Sequence, residues 1–339
     1  MKVAVLMGGR SPEREVSLRS GHNASQALKD AGFDVVEIDA QADIAQKIFE
    51  NKADVVFIAL HGELGEDGTL QGLLEYIGVP YTGSGVMASA VAMDKCMSKK
   101  LFSAAGVPTP GYIEICRETD NDDIREMLED KKLEPPIVIK PNSLGSTIGI
   151  SILYDFDGLE AAVKEAFNYS HKVLIEEFVP GKEITVGILG GKEPFAVPSI
   201  EIVPKGEYYT YETKYLPGMS DHIIPARIGE EANILAEELA LKAHNALECY
   251  GMSRVDMIVR EDGKIFVLEV NTIPGMTQTS LLPEAAAKIG IDFREFVKLQ
   301  VEWALEREKE KPLISRKGPG ILTDEVAAIT TNKEKQADT

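Results

Sequence analysis

The stretch RVDMIVREDGKIFVLEVNTIPGMTQTSL, Arg254 to Leu281, constrains this chain more than any other. Two runs of alternating apolar residues flank Asp262-Gly263, the strongest short-range signal for a two-residue hairpin turn. That turn fixes the register. Asp256 then faces Glu269 and Arg254 faces Asn271, all four on one side of the ribbon. Val255, Met257, Val259, Phe266, Leu268 and Val270 form the other, core-facing side, as the period of two demands.

Directly opposed carboxylates repel and weaken a hairpin, and a bound cation reverses that sign. Two carboxylates and an amide carbonyl are hard oxygen donors, few in number. They suit a magnesium ion that takes its remaining ligands from water and substrate phosphates. The alternative is a solvated face of alternating charges. Against it stands the ending of the second strand, an Asn-Thr-x-Pro-Gly-Met turn.

This hairpin resembles the C-terminal metal-binding hairpin of the ATP-grasp fold. ExNTxPGMT followed by Ser280-Leu281 is similar to the D-alanine–D-alanine ligases in particular. The resemblance implies an α/β ATP-grasp architecture, an N-terminal parallel α/β domain followed by two α+β subdomains that clamp ATP.

The bulk properties agree with a soluble enzyme of more than one domain. The chain has 339 residues, 44% of them apolar, and 36 basic against 55 acidic residues give a net charge of −19. That charge argues against nucleic acid or an anionic membrane as a partner. No apolar run reaches the roughly 18 residues of a membrane span, and no signal-peptide core follows Met1, so a cytoplasmic location is expected. Cys96, Cys116 and Cys249 have neither metal-site spacing nor an even count and are expected to be reduced.

Along the chain, strands at Val3–Met7, Asp34–Ile38 and Asp54–Leu60 alternate with helices, which implies a parallel sheet with ligands at its carboxyl ends. The loop GGRSPEREVS after the first strand lacks the spaced glycines of a dinucleotide fingerprint. Its Glu13 and Glu15 fall at a helix start, where acids are favoured whatever the function. For Glu13 the structural and functional readings stay level. Val86–Ala105 reads as one long helix carrying the first domain boundary. From Gly111 to Val179 the pattern is strand, helix, strand, loop, strand, helix, strand. Within it, NSLGSTIG after Lys140 is a loop whose backbone N–H groups can approach phosphate oxygens, or a plain hairpin tip. Expected domains are 1–94, 95–179 and 180–311, with 312–339 a polar, disordered tail.

The resemblance assigns roles that spacing alone does not. It gives Glu15 the ammonium of the first D-alanine, hydrogen-bonded with Ser146 of the lid and Tyr215 of an omega loop. HGELGEDGTLQG, from His61 to Gly72, matches the family loop whose histidine lies near the first substrate's carboxylate. Lys95 of the MDK motif and Lys140 reach nucleotide phosphates, and Ser146 lies between phosphate and substrate. Glu176, Glu177 and Val179 line the base or ribose and Glu183 the ribose or metal shell, although two acids there could equally be a solvated edge. Lys214, Ser280 and Leu281 bind substrate. Asp256, Glu269 and Asn271 hold Mg²⁺ or Mn²⁺, two ions bridged by Glu269, while Arg254 and the Gly275 N–H, with Ser280, serve the tetrahedral intermediate. The implied reaction joins two D-alanine molecules through an acyl phosphate formed from ATP, for peptidoglycan synthesis, in a homodimer. Rival readings are an ATP-grasp ligase making a depsipeptide or another amide, and a nucleotide- or amino-acid-binding sensor. Tyr215 in place of phenylalanine favours the dipeptide.

Overall fold

The computed structural model describes residues 1–145, 148–204 and 220–311. Ser146, Lys214, Tyr215 and the 312–339 tail lie outside the described residues. Among the described residues the strands form three sheets. The first holds β1 (Lys2–Met7), β2 (Asp34–Asp39) and β3 (Val55–Ile58), parallel and in the order β2-β1-β3. Helices α1 (Arg14–Asp30), α2 (Ile44–Asn51) and α3 (Thr69–Ile77) alternate with the strands. β1 and β3 are buried almost throughout, as the continuous apolar runs of a covered parallel sheet require. Gly21 lets α1 lie close on β1, because a Cβ there would overlap the Met7 side chain.

The expected helix over Val86–Ala105 is two helices, α4 (Val86–Met93) and α5 (Lys95–Ala104). Asp94 breaks them with an extended backbone, and its carboxylate accepts from the Met97 N–H. An aspartate in this role caps a new helix more favourably than it continues an old one.

The second sheet follows the expected alternation: β4 (Tyr112–Cys116), α6 (Asn121–Lys131), β5 (Ile137–Pro141), β6 (Ser151–Leu153), α7 (Leu159–Ala166) and β7 (Lys172–Glu177), with antiparallel order β4-β7-β5-β6. β8 (Lys182–Gly190) follows a Pro180-Gly181 turn but does not pair with β7; the turn carries the chain from one sheet to the next. Gly181 is needed for that crossing, since a Cβ would overlap the Val259 carbonyl.

The third sheet runs β11-β10-β8-β12-β13, with β9 (Phe195–Ala196) on β8; its other members are β10 (Ile200–Pro204), β11 (Ser220–Ile223), β12 (Gly251–Val259) and β13 (Ile265–Asn271). Helix α8 (Glu230–Ala246) packs on it. After α9 (Leu281–Lys288), α10 (Phe293–Glu310), the last helix among the described residues, lies against α1 and β3. Its Phe296, Val297, Val301 and Ala304 join one core with the first sheet, so this C-terminal helix closes over the N-terminal strands. Arg307 fastens this contact, donating to the carbonyls of Tyr81 (2.8 Å) and Gly83 (2.6 Å) with its guanidinium over the Tyr81 ring.

The β12–β13 hairpin has a different turn from the expected one. Arg260 N–H donates to Lys264 C=O and Gly263 N–H to Arg260 C=O, so the loop is Glu261-Asp262-Gly263, with Gly263 at φ +81°. A β-bulge at Leu268 compensates, pairing Met257 with Val267 but Asp256 with Glu269. One extra residue in the turn and one in the strand cancel. The expected pairs Asp256–Glu269 and Arg254–Asn271 therefore form, while beyond the bulge the faces exchange. Ile265 and Val267 enter the core, whereas Phe266 and Leu268, expected there, are half-buried.

Candidate active site

The hairpin face sits in the middle of the third sheet. Asp256, on β12, lies opposite Glu269 of β13 on one side and Thr185 of β8 on the other. Its carboxylate takes two parallel hydrogen bonds from Arg254, both 2.9 Å, and one of 2.7 Å from Thr185 Oγ1. Glu269 is held by Lys95, whose Nζ stands 3.1 Å from Oε2 and donates to the Leu144 carbonyl at 2.8 Å. Each acid thus faces a cation of the protein itself, which offsets the repulsion expected between them. Asn271 Oδ1 accepts from the Ile273 N–H at 2.9 Å, fixing the amide at the strand end. Two carboxylates and this carbonyl on adjacent strands offer the oxygen donors of a magnesium or manganese site.

Lys95 is the first residue of α5, and the start of that helix is tied to the end of β5. Its N–H donates to the Asn142 carbonyl, and the Cys96 N–H to Asn142 Oδ1 at 2.9 Å. The glycine-rich loop leaves β5 at this point, so Lys95 joins the loop's base to β13.

Behind the loop lies a buried triad. Glu176 on β7 pairs with Lys140 of β5 through Oε1 and with Lys99 of α5 through Oε2, the latter at 2.9 Å. Burial alone would raise the Glu176 carboxyl, yet Lys140 and Lys99 outweigh it and hold the pKa below the ordinary range. Burial pushes the Lys99 ammonium down, with Glu176 opposing. Val179 is buried in the crossover between sheets, Glu183 is half-buried on β8, and Glu177 is exposed.

The N-terminal sheet contributes a second group. His61, after β3, has Nε2 3.1 Å from Ser20 Oγ and Nδ1 3.4 Å from Glu66 Oε1. Ser20 Oγ also accepts from the Met276 N–H at 3.3 Å, linking α1 to the turn after β13. Burial raises the Glu66 carboxyl, with His61 acting against it. In that turn Ser280 Oγ lies 2.8 Å from Thr277 Oγ1 and accepts from the Thr277 N–H at 3.1 Å. A Cβ on Gly275 would come within 2.9 Å of the same oxygen. Leu281 opens α9 with its side chain in the core.

Glu15 is not part of this group. It is exposed on α1, where it supports the charge of Arg14, itself paired in parallel with Asp39. Glu13 is the buried one. Its Oε2 would lie 2.8 Å from a Cβ on Gly62 and 3.9 Å from one on Gly145, placing it between the His61 loop and the base of the glycine-rich loop. The two acids differ by two positions at a helix start, and nothing in their spacing separates them.

The structure therefore brings together Lys95, Arg254, Asp256, Glu269 and Asn271, then Lys140 with Glu176, and His61 with the turn bearing Gly275 and Ser280. Sequence reasoning overlooked Lys99, Thr185, Ser20 and Glu66. Lys99 carried one available signal, its place four residues after Lys95 on the same helix face, and Thr185 another, its alternation with Glu183 on β8.

Comparison with known proteins shows the family of the chain. Residues 39–84 match the D-ala D-ala ligase N-terminus family and residues 101–302 the D-ala D-ala ligase C-terminus family. The chain is 46% identical over 312 residues to a D-alanine–D-alanine ligase of Pelotomaculum thermopropionicum, covering 90% of this chain and 97% of that one. It is 49% identical over 296 residues to one of Geotalea uraniireducens, covering 87% and 93%. Among solved structures, the D-alanine–D-alanine ligase of Bacillus anthracis superimposes with a TM-score of 0.81 at 36% identity, over 92% of this chain and all of that one, and its complex with ATP gives 0.79 at 34%. The VanG D-Ala:D-Ser ligase of Enterococcus faecalis gives 0.78 at 32%, over 90% of this chain and 99% of that one. With these similarities along nine-tenths of its length, the chain belongs to the D-alanine–D-alanine ligase family.

Proposed function

We propose that Asp256, Glu269 and Asn271 hold Mg²⁺ or Mn²⁺, two ions sharing Glu269, in an enzyme that joins two D-alanine molecules with ATP to give D-alanyl-D-alanine for peptidoglycan precursors. The observation that carries this reading is the hairpin face itself, three oxygen donors in register across two strands with Lys95 and the base of the glycine-rich loop above them. When bound, the metal neutralises charge on the phosphoryl group being transferred.

The chain's own residues do the rest. Lys140 and Lys95 bring positive charge to the ATP phosphates, and Val179, in the crossover between sheets, and Glu176, near the end of β7, face the base. The first D-alanine's carboxylate attacks the γ-phosphate, giving an acyl phosphate and ADP. The second D-alanine's amine then attacks the acyl carbon, and phosphate leaves as the tetrahedral intermediate collapses. Arg254 and the Gly275 N–H are the donors assigned to its oxyanion. Ser280 and the main chain of Leu281 receive the second substrate's carboxylate. Glu13, rather than Glu15, takes the ammonium of the first, because it alone of the two is turned inward beside Gly62. His61 orients this end through Ser20 and Glu66. Ser146, Lys214 and Tyr215 keep the roles the family resemblance implies.

We place the enzyme in the cytoplasm as a homodimer. Its three cysteines are free thiols, and among the described residues no helix is long and apolar enough to cross a membrane.

Phosphate release with ATP, Mg²⁺ and D-alanine tests the reading, run beside L-alanine, D-serine and D-lactate. Turnover is expected with D-alanine alone; release that requires an L-amino acid overturns the substrate, and release that requires D-serine or D-lactate reassigns the second site. Glu269→Gln keeps shape but removes the charge facing the cation, so phosphoryl transfer should be nearly abolished with the fold intact. Metal-dependent turnover by a folded Glu269→Gln protein would remove the hairpin from the metal site.

A further inference from the structure

Lys99 has no part in the chemistry above, yet it is fully buried. A lysine so enclosed persists only where an anion and acceptors hold it. Its Nζ lies 2.9 Å from Glu176 Oε2, donates to Thr109 Oγ1 at 2.6 Å and sits 5.4 Å from the centroid of the Tyr112 ring. Glu176, with a side chain 3% exposed, is held on its other oxygen by Lys140.

The acid therefore has two lysine partners with different positions. Lys140 lies on the strand that ends in the glycine-rich loop, where phosphates are received. Lys99 lies on α5 one turn beyond Lys95, shut off from solvent. When phosphate oxygens draw Lys140 away, Glu176 loses one of its two counter-charges. Were Lys140 the sole partner, a buried carboxylate would be stranded, and Glu176 would compete with the nucleotide for the lysine.

We propose that Lys99 is a positioning residue of the nucleotide site, which keeps Glu176 paired so that Lys140 can pass to the ATP phosphates without leaving a buried charge alone. The inference rests on the assignment of Lys140 to ATP made above. It makes Lys99 a determinant of ATP affinity without contact with ATP.

The test measures ATP binding calorimetrically, and the Michaelis constants for ATP and D-alanine separately, in Lys99→Met, Lys99→Arg, Glu176→Gln and Lys99→Met/Glu176→Gln. Lys99→Met is expected to weaken ATP binding tenfold or more, about 1.4 kcal/mol, with the D-alanine constants within twofold of the parent. Lys99→Arg, which keeps the charge, should lose less. Once Glu176→Gln has removed the acid, adding Lys99→Met should cost less than threefold relative to Glu176→Gln alone, because no acid remains for Lys99 to hold. Unchanged ATP affinity in folded Lys99→Met, or a double variant tenfold or more weaker than Glu176→Gln, overturns the proposal. Should Lys99→Met not fold, the comparison of the double variant with Glu176→Gln decides: a difference within threefold supports the inference and a larger one sinks it. Lys140→Met separates the two readings, since normal ATP binding there would reject the nucleotide site itself.

Discussion

Glu176 and Glu66 are both acids withdrawn from water, and their carboxyls shift in opposite directions. Glu176, on the central sheet, lies between two lysines and is held below the ordinary carboxylate range. Glu66, in the loop after β3 with its side chain 14% exposed, is raised by burial and by the nearby Glu13, with His61 acting against them. Burial acts in the same sense on both, so the difference lies in the partners. Two lysine ammonium groups together outweigh desolvation, whereas a single imidazole opposes it only while protonated. The side proposed for the nucleotide is thus built from paired charges, and the side proposed for the amino acid from a hydrogen-bonded chain through His61, Ser20 and the Met276 N–H.

The largest test of this contrast is Glu176→Leu, which leaves Lys99 and Lys140 without their acid. Urea denaturation should show a loss of about 3–5 kcal/mol, the range for breaking a buried pair from one side. A loss no larger than that of Glu66→Gln would erase the distinction between the two regions.

Next in size is the effect on substrate at the amino-acid side. Glu13→Gln should raise the Michaelis constant for the first D-alanine at least tenfold by removing a charge-assisted contact with its ammonium, while Glu15→Gln stays within twofold. Initial-rate kinetics decide between them, and a reversed order would restore Glu15 to the site.

A smaller effect appears in the pH dependence of stability. Because the folded pKa of Glu176 lies below its unfolded value, near 4.3 in model peptides, the native state binds fewer protons than the unfolded chain. Its contribution is present above that value and fades as pH falls. Glu66 has the reverse sign: its contribution is complete below the unfolded value and disappears as pH rises through the raised folded one. Glu176→Leu should therefore flatten the acid limb of a stability curve below about pH 5. The smallest change is expected for Glu66→Gln, with a melting temperature equal to the parent's at pH 4 and equal or higher at pH 8. A fall at pH 8 alone would mean that Glu66 is held as an anion.

The hairpin shows how far the sequence could be read. Asp262-Gly263 marked the turn region, and the pairs Asp256–Glu269 and Arg254–Asn271 formed as expected, but only because the bulge at Leu268 cancels a three-residue loop. Alternation alone could not reveal a bulge, since Phe266 and Leu268 are as apolar as Ile265 and Val267. The long helix over Val86–Ala105 failed for a related reason. Asp94 can continue a helix or cap a new one, and the contact of α5 with Asn142, a neighbour in space and not in sequence, accompanies the second choice.

What the sequence determined by itself is local or periodic: the parallel first sheet, the strand-helix alternation from Gly111 to Val179, the glycine-rich loop after Lys140, and an acidic hairpin face joined to an Asn-Thr-x-Pro-Gly turn. Each follows from backbone propensities and side-chain period, which act over a few residues. Tertiary structure decided the rest. It turned Glu13 inward and left Glu15 in solvent, brought Lys99 from a helix face onto a β7 acid, and laid α10 across the first sheet. Those outcomes depend on which charges are excluded from water together, a property of packed surfaces distant in the chain that no short window of sequence contains.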